Sequence, residues 1–305
     1  MFTVSEISQE LGHAGWRDYI EICKPRVVLL MLLCTLVGML LATPDAVPWN
    51  VIIFCNLGVA LVASSAAALN HLLDSSLDAK MARTRNRPVV QGRISNFNGS
   101  IFIALTGILG LSVLMILVNP LTAWLNLASW LGYGVFYTMY LKRATPQNIV
   151  VGGLFGAAPP LFGWTAVTNS VDPGALLLVL IIFAWTPPHF WALAIDRLDE
   201  YRDADIPMMP LTHGEQYTKL LILLYAIILT LTSVLPYLIG MSSILYLVSA
   251  IGLGLGFVYW SIVLLIGRDA AAPMKTFRYS ILYLMLLFLA LLVDHYIPPS
   301  FYLVT

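Results

Sequence analysis

Nine apolar runs recur along this chain, at 26–43, 49–70, 99–118, 121–141, 149–168, 174–195, 218–239, 243–266 and 277–296. Each has roughly the 20 residues that a helix needs to cross the hydrocarbon core of a bilayer. No other feature constrains the fold as tightly. In lipid every backbone N–H and C=O must find a partner inside the spanning segment, and a helix supplies all of them internally. Composition agrees, with 59% of 305 residues hydrophobic and 10% charged, far outside the usage of a soluble domain. The expectation is an all-α, polytopic membrane protein with nine transmembrane helices.

The basic residues give this bundle an orientation. Of the 16 Lys and Arg residues, Arg17, Lys24 and Arg26 precede the first run; Lys80, Arg83, Arg85, Arg87 and Arg93 follow the second; Lys142 and Arg143 follow the fourth. Arg197, Arg202 and Lys219 lie between the sixth and seventh runs, and Arg268, Lys275 and Arg278 between the eighth and ninth. The alternate connections and the tail beyond Asp294 contain none, so by the positive-inside rule the basic side is cytoplasmic, or matrix if the membrane is organellar. The N-terminus then lies inside and the C-terminus outside, in the cell (inner) membrane of a prokaryote. Residues 1–25 carry Glu6, Glu10, Asp18 and Glu21 with few basic residues and no early apolar core, which argues against a cleaved signal or an Arg-rich transit peptide and reads as a short interfacial segment. Residues 26–296 form one membrane domain and 297–305 a short outside tail.

A net charge of zero provides no basic field for nucleic acid. Cys23, Cys34 and Cys55 are widely separated and lie in or near apolar runs, which argues against a disulfide framework or a zinc site.

Chemistry concentrates where the second run ends. In NHLLDSSLDAKMARTRNRP, residues 70–88, Asn70, Asp74 and Asp78 stand four apart, a spacing that places all three on one face of a helix. Carboxylates this close repel one another unless a cation intervenes, and a hard divalent ion such as Mg2+ takes oxygen ligands while bridging to substrate phosphates. The basic residues that follow suit the same anionic guest. The plainer alternative is a solvated helix end, and in either case these acids are expected at a hydrated interface. The end of the sixth run repeats the device: in DRLDEYRDADIPMMP, Asp196, Asp199 and Asp203 follow three- and four-residue spacing. Because an even number of spans separates the clusters, both open on the cytoplasmic side, where together they could hold metal ions against a diphosphate.

His189, in Thr186-Pro187-Pro188-His189-Phe190-Trp191, precedes Asp196 by seven residues, two turns on the same face. At that depth it needs a partner or a task. It could bind a metal-centred ligand or transfer a proton, or simply be a packed, hydrogen-bonded residue. His71 adjoins the first cluster but points about 100° away from Asn70. Small residues in ALVASSAAALN of the second run, and in GGLFGAAPPLFGW of the fifth, allow close helix approach or leave room for a ligand.

With these residues in place, Asn70-x-x-x-Asp74-x-x-x-Asp78 and Asp199-x-x-x-Asp203 resemble the two aspartate motifs of the intramembrane aromatic prenyltransferase superfamily. Within it the chain most resembles the heme-farnesylating branch, through KPRVVLLMLLCT at 24–35, NHLLDSSLDAKMARTRNRP, LKRATPQNIVVGGLFGAAPPLFGW at 141–164 and PHFWALAIDRLDEYRDADIPMMP at 188–210. The resemblance implies a bundle around a central cavity open to the cytoplasmic side. It also implies Mg2+, with Mn2+ as a substitute, and transfer from farnesyl diphosphate to a vinyl group of heme B. Asn70, Asp74, Asp78, Asp199 and Asp203 would hold metal and diphosphate as the catalytic set. Arg83, Arg87, Lys142, Arg143 and Arg197 would neutralise the diphosphate, and His189 and His71 would serve the heme. Besides the lipid bilayer, a downstream heme A synthase or terminal oxidase assembly would be partners. Ala192 stands where the wider superfamily places a further aspartate. A quinone precursor as acceptor, or a transporter in place of an enzyme, are the competing readings.

Overall fold

The structure is a computed structural model that describes residues 14–297 apart from Ala82 and Asp205, and of Arg143 only the backbone. Residues 1–13 of the expected interfacial segment, the tail from 298 and the Arg143 side chain lie outside the described residues. Among the described residues every regular element is a helix, with no strand.

A short helix α1 (Trp16–Ile22) turns by 55° into α2 (Pro25–Leu41). Then follow α3 (Trp49–Leu73), the single turn α4 (Ser75–Asp78), α5 (Asn96–Leu117) and α6 (Pro120–Trp130). α6 runs without interruption into a π-helix, π1 (Leu131–Leu141), and a last α-helical turn, Lys142–Ala144. The pair α7 (Asn148–Gly156) and α8 (Pro159–Thr168) forms one span with a break at Ala157–Ala158. α9 (Pro173–Asp196) leads through the short α10 (Leu198–Asp203) and α11 (Met209–Thr212) to α12 (Glu215–Thr232), α13 (Leu235–Leu238), α14 (Ile244–Ile266) and α15 (Ala272–Tyr296). Every predicted apolar run therefore falls on helix.

By length and apolar composition seven helices can cross a membrane, and the bent α1–α2 pair would make an eighth. The remaining run, 121–141, is shared between α6 and π1, each too short to span alone. Its change of helix type is what an apolar count misses. A π-helix offsets one hydrogen-bond register by a residue, and Thr138 Oγ1 supports it by donating to the Tyr133 carbonyl at 2.9 Å.

Two features of the sequence decide how the helices pack. Small residues come first: a Cβ on Gly163 of α8 would strike the Thr35 carbonyl of α2, and one on Gly38 would strike the Pro160 carbonyl. The two helices thus cross backbone to backbone, as small residues permit in membranes. Buried hydroxyls come second. Ser65 of α3 donates to the Ile103 carbonyl of α5 at 2.8 Å and receives the Trp130 indole N–H at 3.1 Å. Ser233, which caps the C-terminus of α12, meets the Tyr283 hydroxyl of α15 at 2.6 Å. At the far end the Asp294 carboxylate accepts from the Ser243 and Tyr246 amides at 2.6 and 3.3 Å. It thereby caps the N-terminus of α14 from the end of α15. The two halves of the bundle pack as α2, α3, α5 and α8 on one side and α9, α12, α14 and α15 on the other.

Candidate active site

The first motif sits where α3 gives way to α4. Asp74 leaves helical geometry at φ −90°, ψ 2°, so Asn70, Asp74 and Asp78 do not share one uninterrupted helix as their spacing suggests. The register nevertheless survives. Asp74 N–H bonds the Asn70 carbonyl at 3.0 Å and Asp78 N–H the Asp74 carbonyl at 2.8 Å, which keeps the three side chains together.

They are not at a hydrated surface. Asn70, Asp74 and Asp78 are 6%, 1% and 5% exposed, and cations come down to them. Lys142 bonds Asp74 Oδ2 at 2.6 Å, Asn70 Nδ2 bonds the same oxygen at 2.7 Å, and Arg87 pairs with Asp78. Lys24 donates to Asn70 Oδ1 at 2.5 Å and lies within electrostatic reach of Arg87, Lys142, Asp74 and Asp78. Buried carboxylates require such pairing. One acceptor is left over: Asp74 Oδ1 is buried with no hydrogen-bond partner. A bare anionic oxygen beside a second carboxylate and an amide oxygen is the donor chemistry that a hard divalent cation takes, so these residues fit Mg2+.

A cavity of about 440 Å3 lies within the bundle, joined to this cluster through Lys24, which lines it and bonds Asn70. Lys24 is part of its lining, and Val62, Ala66 and Ala67 of α3 and Gly152, Gly153 and Gly156 of α7 form its small-residue wall. The ALVASSAAALN and GGLFGAAPP segments therefore leave room for a ligand as well as for packing. Tyr133 and Tyr137 of π1 line it too, stacked 5.4 Å apart within electrostatic reach of Asp74. His189 of α9 stands on the same wall, 8% exposed, with its ring between Trp185 at 4.1 Å and Phe277 at 4.5 Å.

Not every predicted residue joins this site. Asp199 and Asp203, on α10, are exposed, and Asp199 pairs with Arg202 of its own turn at 2.6 Å. Among the described residues no three His, Cys, Asp or Glu side chains stand together as a ready metal-ligand set, so the two acidic motifs are not gathered into one. Arg83 and Arg197 belong to the rim, where both lie within reach of the Tyr201 phenol. Burial pushes that phenol up, against the pull of these two cations. Asp196, expected beneath His189 on one face, instead lines a separate recess of about 290 Å3 with Glu215, Lys219 and Asp269. His71 is buried, both its ring nitrogens lack a partner, and it is absent from the cavity lining, so the two histidines do not share a wall. The three cysteines are free.

Lys24, Tyr133 and Tyr137 escaped the sequence reading. Lys24 looks like an ordinary inside charge at the start of a span. Its one local oddity is conformational, a left-handed φ of 52° immediately before Pro25. That geometry is costly for a side-chain-bearing residue before proline and is the kind of outlier found at functional sites.

A helical bundle with an apolar cavity beneath a cluster of paired acids and bases defines a class of membrane enzyme that handles a charged head on an apolar tail. The chain belongs to the UbiA prenyltransferase family, whose model matches residues 31–293. Membership answers the transport alternative in favour of prenyl transfer. Among its relatives, the protoheme IX farnesyltransferase of Hahella chejuensis is 61% identical over 287 residues, covering 94% of this chain and 96% of that protein. Protoheme IX farnesyltransferase 1 of Pseudomonas fluorescens is 59% identical over 291 residues, covering 95% and 97%. Among solved structures, one of digeranylgeranylglyceryl phosphate synthase superposes with a TM-score of 0.79 at 17% identity, covering 92% of this chain and 98% of that one. A UbiA homolog of Archaeoglobus fulgidus bound to DMAPP and Mg2+ gives 0.66 at 15%, covering 90% and 99%. At these identities the structures establish the shared fold.

Proposed function

We propose that the chain transfers the farnesyl group of farnesyl diphosphate to a vinyl group of heme B, giving heme O. The observation that carries this reading is a single cavity whose lining runs from Lys24, bonded to Asn70, to His189. Relatives 57–61% identical over nearly the whole chain bear the name of that reaction.

Lys24, Lys142 and Arg87 would meet the diphosphate oxygens, with Arg83 and Arg197 at the rim and Arg143 as a further candidate. The first three already converge on the motif, so their charges are positioned before substrate arrives, and preorganised charge is the most effective kind. Bound at Asn70, Asp74 and Asp78, with Asp199 and Asp203 available from α10, Mg2+ (or Mn2+) would add Lewis-acid neutralisation of the leaving group. As the allylic C–O bond breaks, its electron pair leaves with the diphosphate and an allylic cation remains. The apolar cavity walls keep water from that cation until a vinyl carbon of the porphyrin attacks it. Tyr133 and Tyr137 line the same space, and aromatic rings suit a cation electrostatically. Water then adds to the adjacent carbon and loses a proton, completing the hydroxyethylfarnesyl group.

His189 is the residue for the acceptor. Imidazole is a common ligand of heme iron, and this one lines the same cavity as Lys24, which bonds Asn70 of the acidic motif. The domain spanning 26–296 would be a single nine-span unit of the prokaryotic cell membrane, with the site on the cytoplasmic side and heme A synthase or an oxidase assembly downstream.

Binding measurements on purified variants test the division of labour. His189→Ala is expected to weaken heme B binding on the order of tenfold or more, shift the heme absorption spectrum and leave farnesyl diphosphate affinity unchanged. Asp78→Asn is expected to do the opposite. A wild-type heme spectrum and affinity in His189→Ala would remove that residue from the acceptor site.

A further inference from the structure

His189 has two ring nitrogens, and which of them carries the proton decides what it can do. Its Nδ1 lies 2.6 Å from the Ser280 hydroxyl of α15. That hydroxyl also lies 2.6 Å from the Phe277 carbonyl, one turn earlier on the same helix. A carbonyl oxygen only accepts, and a serine hydroxyl has a single proton to give. The Ser280 proton is thus committed to Phe277, and the contact with His189 is a hydrogen bond only if Nδ1–H is the donor. We infer that Ser280 is a positioning residue for the acceptor side of the reaction: it fixes His189 in the Nδ1–H tautomer and leaves the Nε2 lone pair free for the iron of the bound porphyrin.

The surroundings support this from two further directions. Nε2 has no hydrogen-bond partner among the described residues and is not among the sealed, unpartnered atoms, while the residue lines the cavity. The ring is also held against turning over. Trp185 and Phe277 cover its two faces at 4.1 and 4.5 Å, and the Trp185 indole is itself fixed by donating to the Ser280 carbonyl at 2.7 Å. One residue of α15 therefore anchors, through its side chain and its backbone, both the imidazole and the ring stacked on it. Groups that hold the second nitrogen of a metal-binding histidine set both its tautomer and its basicity, and their removal typically costs about 10- to 100-fold in metal affinity.

This inference rests on heme B as acceptor, and the test separates the two. Heme B is titrated into the detergent-purified full chain of the wild type, Ser280→Ala, Ser280→Thr and His189→Ala. Affinity and the iron–histidine stretching band of the ferrous complex are read by absorption and resonance Raman spectroscopy. Ser280→Ala keeps the carbonyl that anchors Trp185, so the stack should survive while Nδ1 loses its acceptor. The expected result is heme affinity about tenfold weaker and an iron–histidine band moved to lower frequency, with both restored in Ser280→Thr. An unchanged band and affinity in Ser280→Ala would overturn the role of Ser280. So would a wild-type complex that lacks the band and matches His189→Ala. Heme farnesylation by the same wild-type sample, assayed separately, shows whether the acceptor reading stands after either outcome.

Discussion

At the residue scale, the site depends on charges placed where water does not reach. Asp74 is 1% exposed and its Oδ2 carries both Lys142 and Asn70, so Asp74→Asn has two consequences. Transfer should fall by about a hundredfold or more, the usual loss when one preorganised electrostatic contact is removed. Stability should also fall, by up to about 3 kcal/mol, because the partly buried Lys142 is left without its counter-charge. The double variant Asp74→Asn/Lys142→Met should recover much of that stability and none of the transfer, as thermal unfolding and product assays would reveal. Equal unfolding temperatures for the single variant and the wild type would contradict the buried pair. The four-residue spacing of Asn70, Asp74 and Asp78 announced this cluster in the sequence, since it needs only local geometry. What spacing could not convey was burial. The same pattern at Asp199 and Asp203 produced exposed side chains, because exposure depends on whether the loop folds back over the bundle. Lys24 joins from 46 residues away in sequence, and Ser280 reaches His189 from 91, separations at which no periodicity carries information.

At the scale of elements, hydropathy located nine apolar runs that fall on helix; seven of the helices, or eight with the bent α1–α2 pair, have the length and composition that a bilayer imposes on a span. It could not see the interruptions: the bend before α2, the break between α7 and α8, or the passage from α6 into π1. These are where the site is built, since Lys24 occupies the bend and Tyr133 and Tyr137 project from the π-helix. The crossing of α2 and α8 was legible only as a stretch rich in small residues. Backbone contact there leaves no space for a side chain at Gly163 or Gly38, and the cavity wall includes Phe162 and Pro159 of the same helix. Gly163→Val should force the helices apart and lower both the unfolding temperature and the yield of folded protein. Gly252→Ala, where an added Cβ meets nothing within 4 Å, should leave both unaltered. Normal stability of Gly163→Val in detergent would show that the crossing is looser than described.

At the scale of the whole molecule, all 16 basic residues fall on one side of the predicted spans, and by the same span assignment the first acidic motif and Lys24 belong to that side. Single cysteines introduced at Arg85 and at Tyr296, in a chain whose three native cysteines are replaced, should react with an impermeant maleimide from opposite faces of the membrane. Labelling of both from one face would show an even number of spans between Arg85 and Tyr296, against the seven predicted. The central claim, that one cavity brings a prenyl diphosphate at the acids to a porphyrin at His189, has a more direct test. Detergent-purified protein is incubated with heme B, farnesyl diphosphate and Mg2+, and the porphyrin is analysed by mass spectrometry. Conversion to the hydroxyethylfarnesyl product, dependent on the divalent ion and abolished by excess chelator, is the predicted result. Heme B recovered unmodified, by a protein that binds both substrates, would contradict the account.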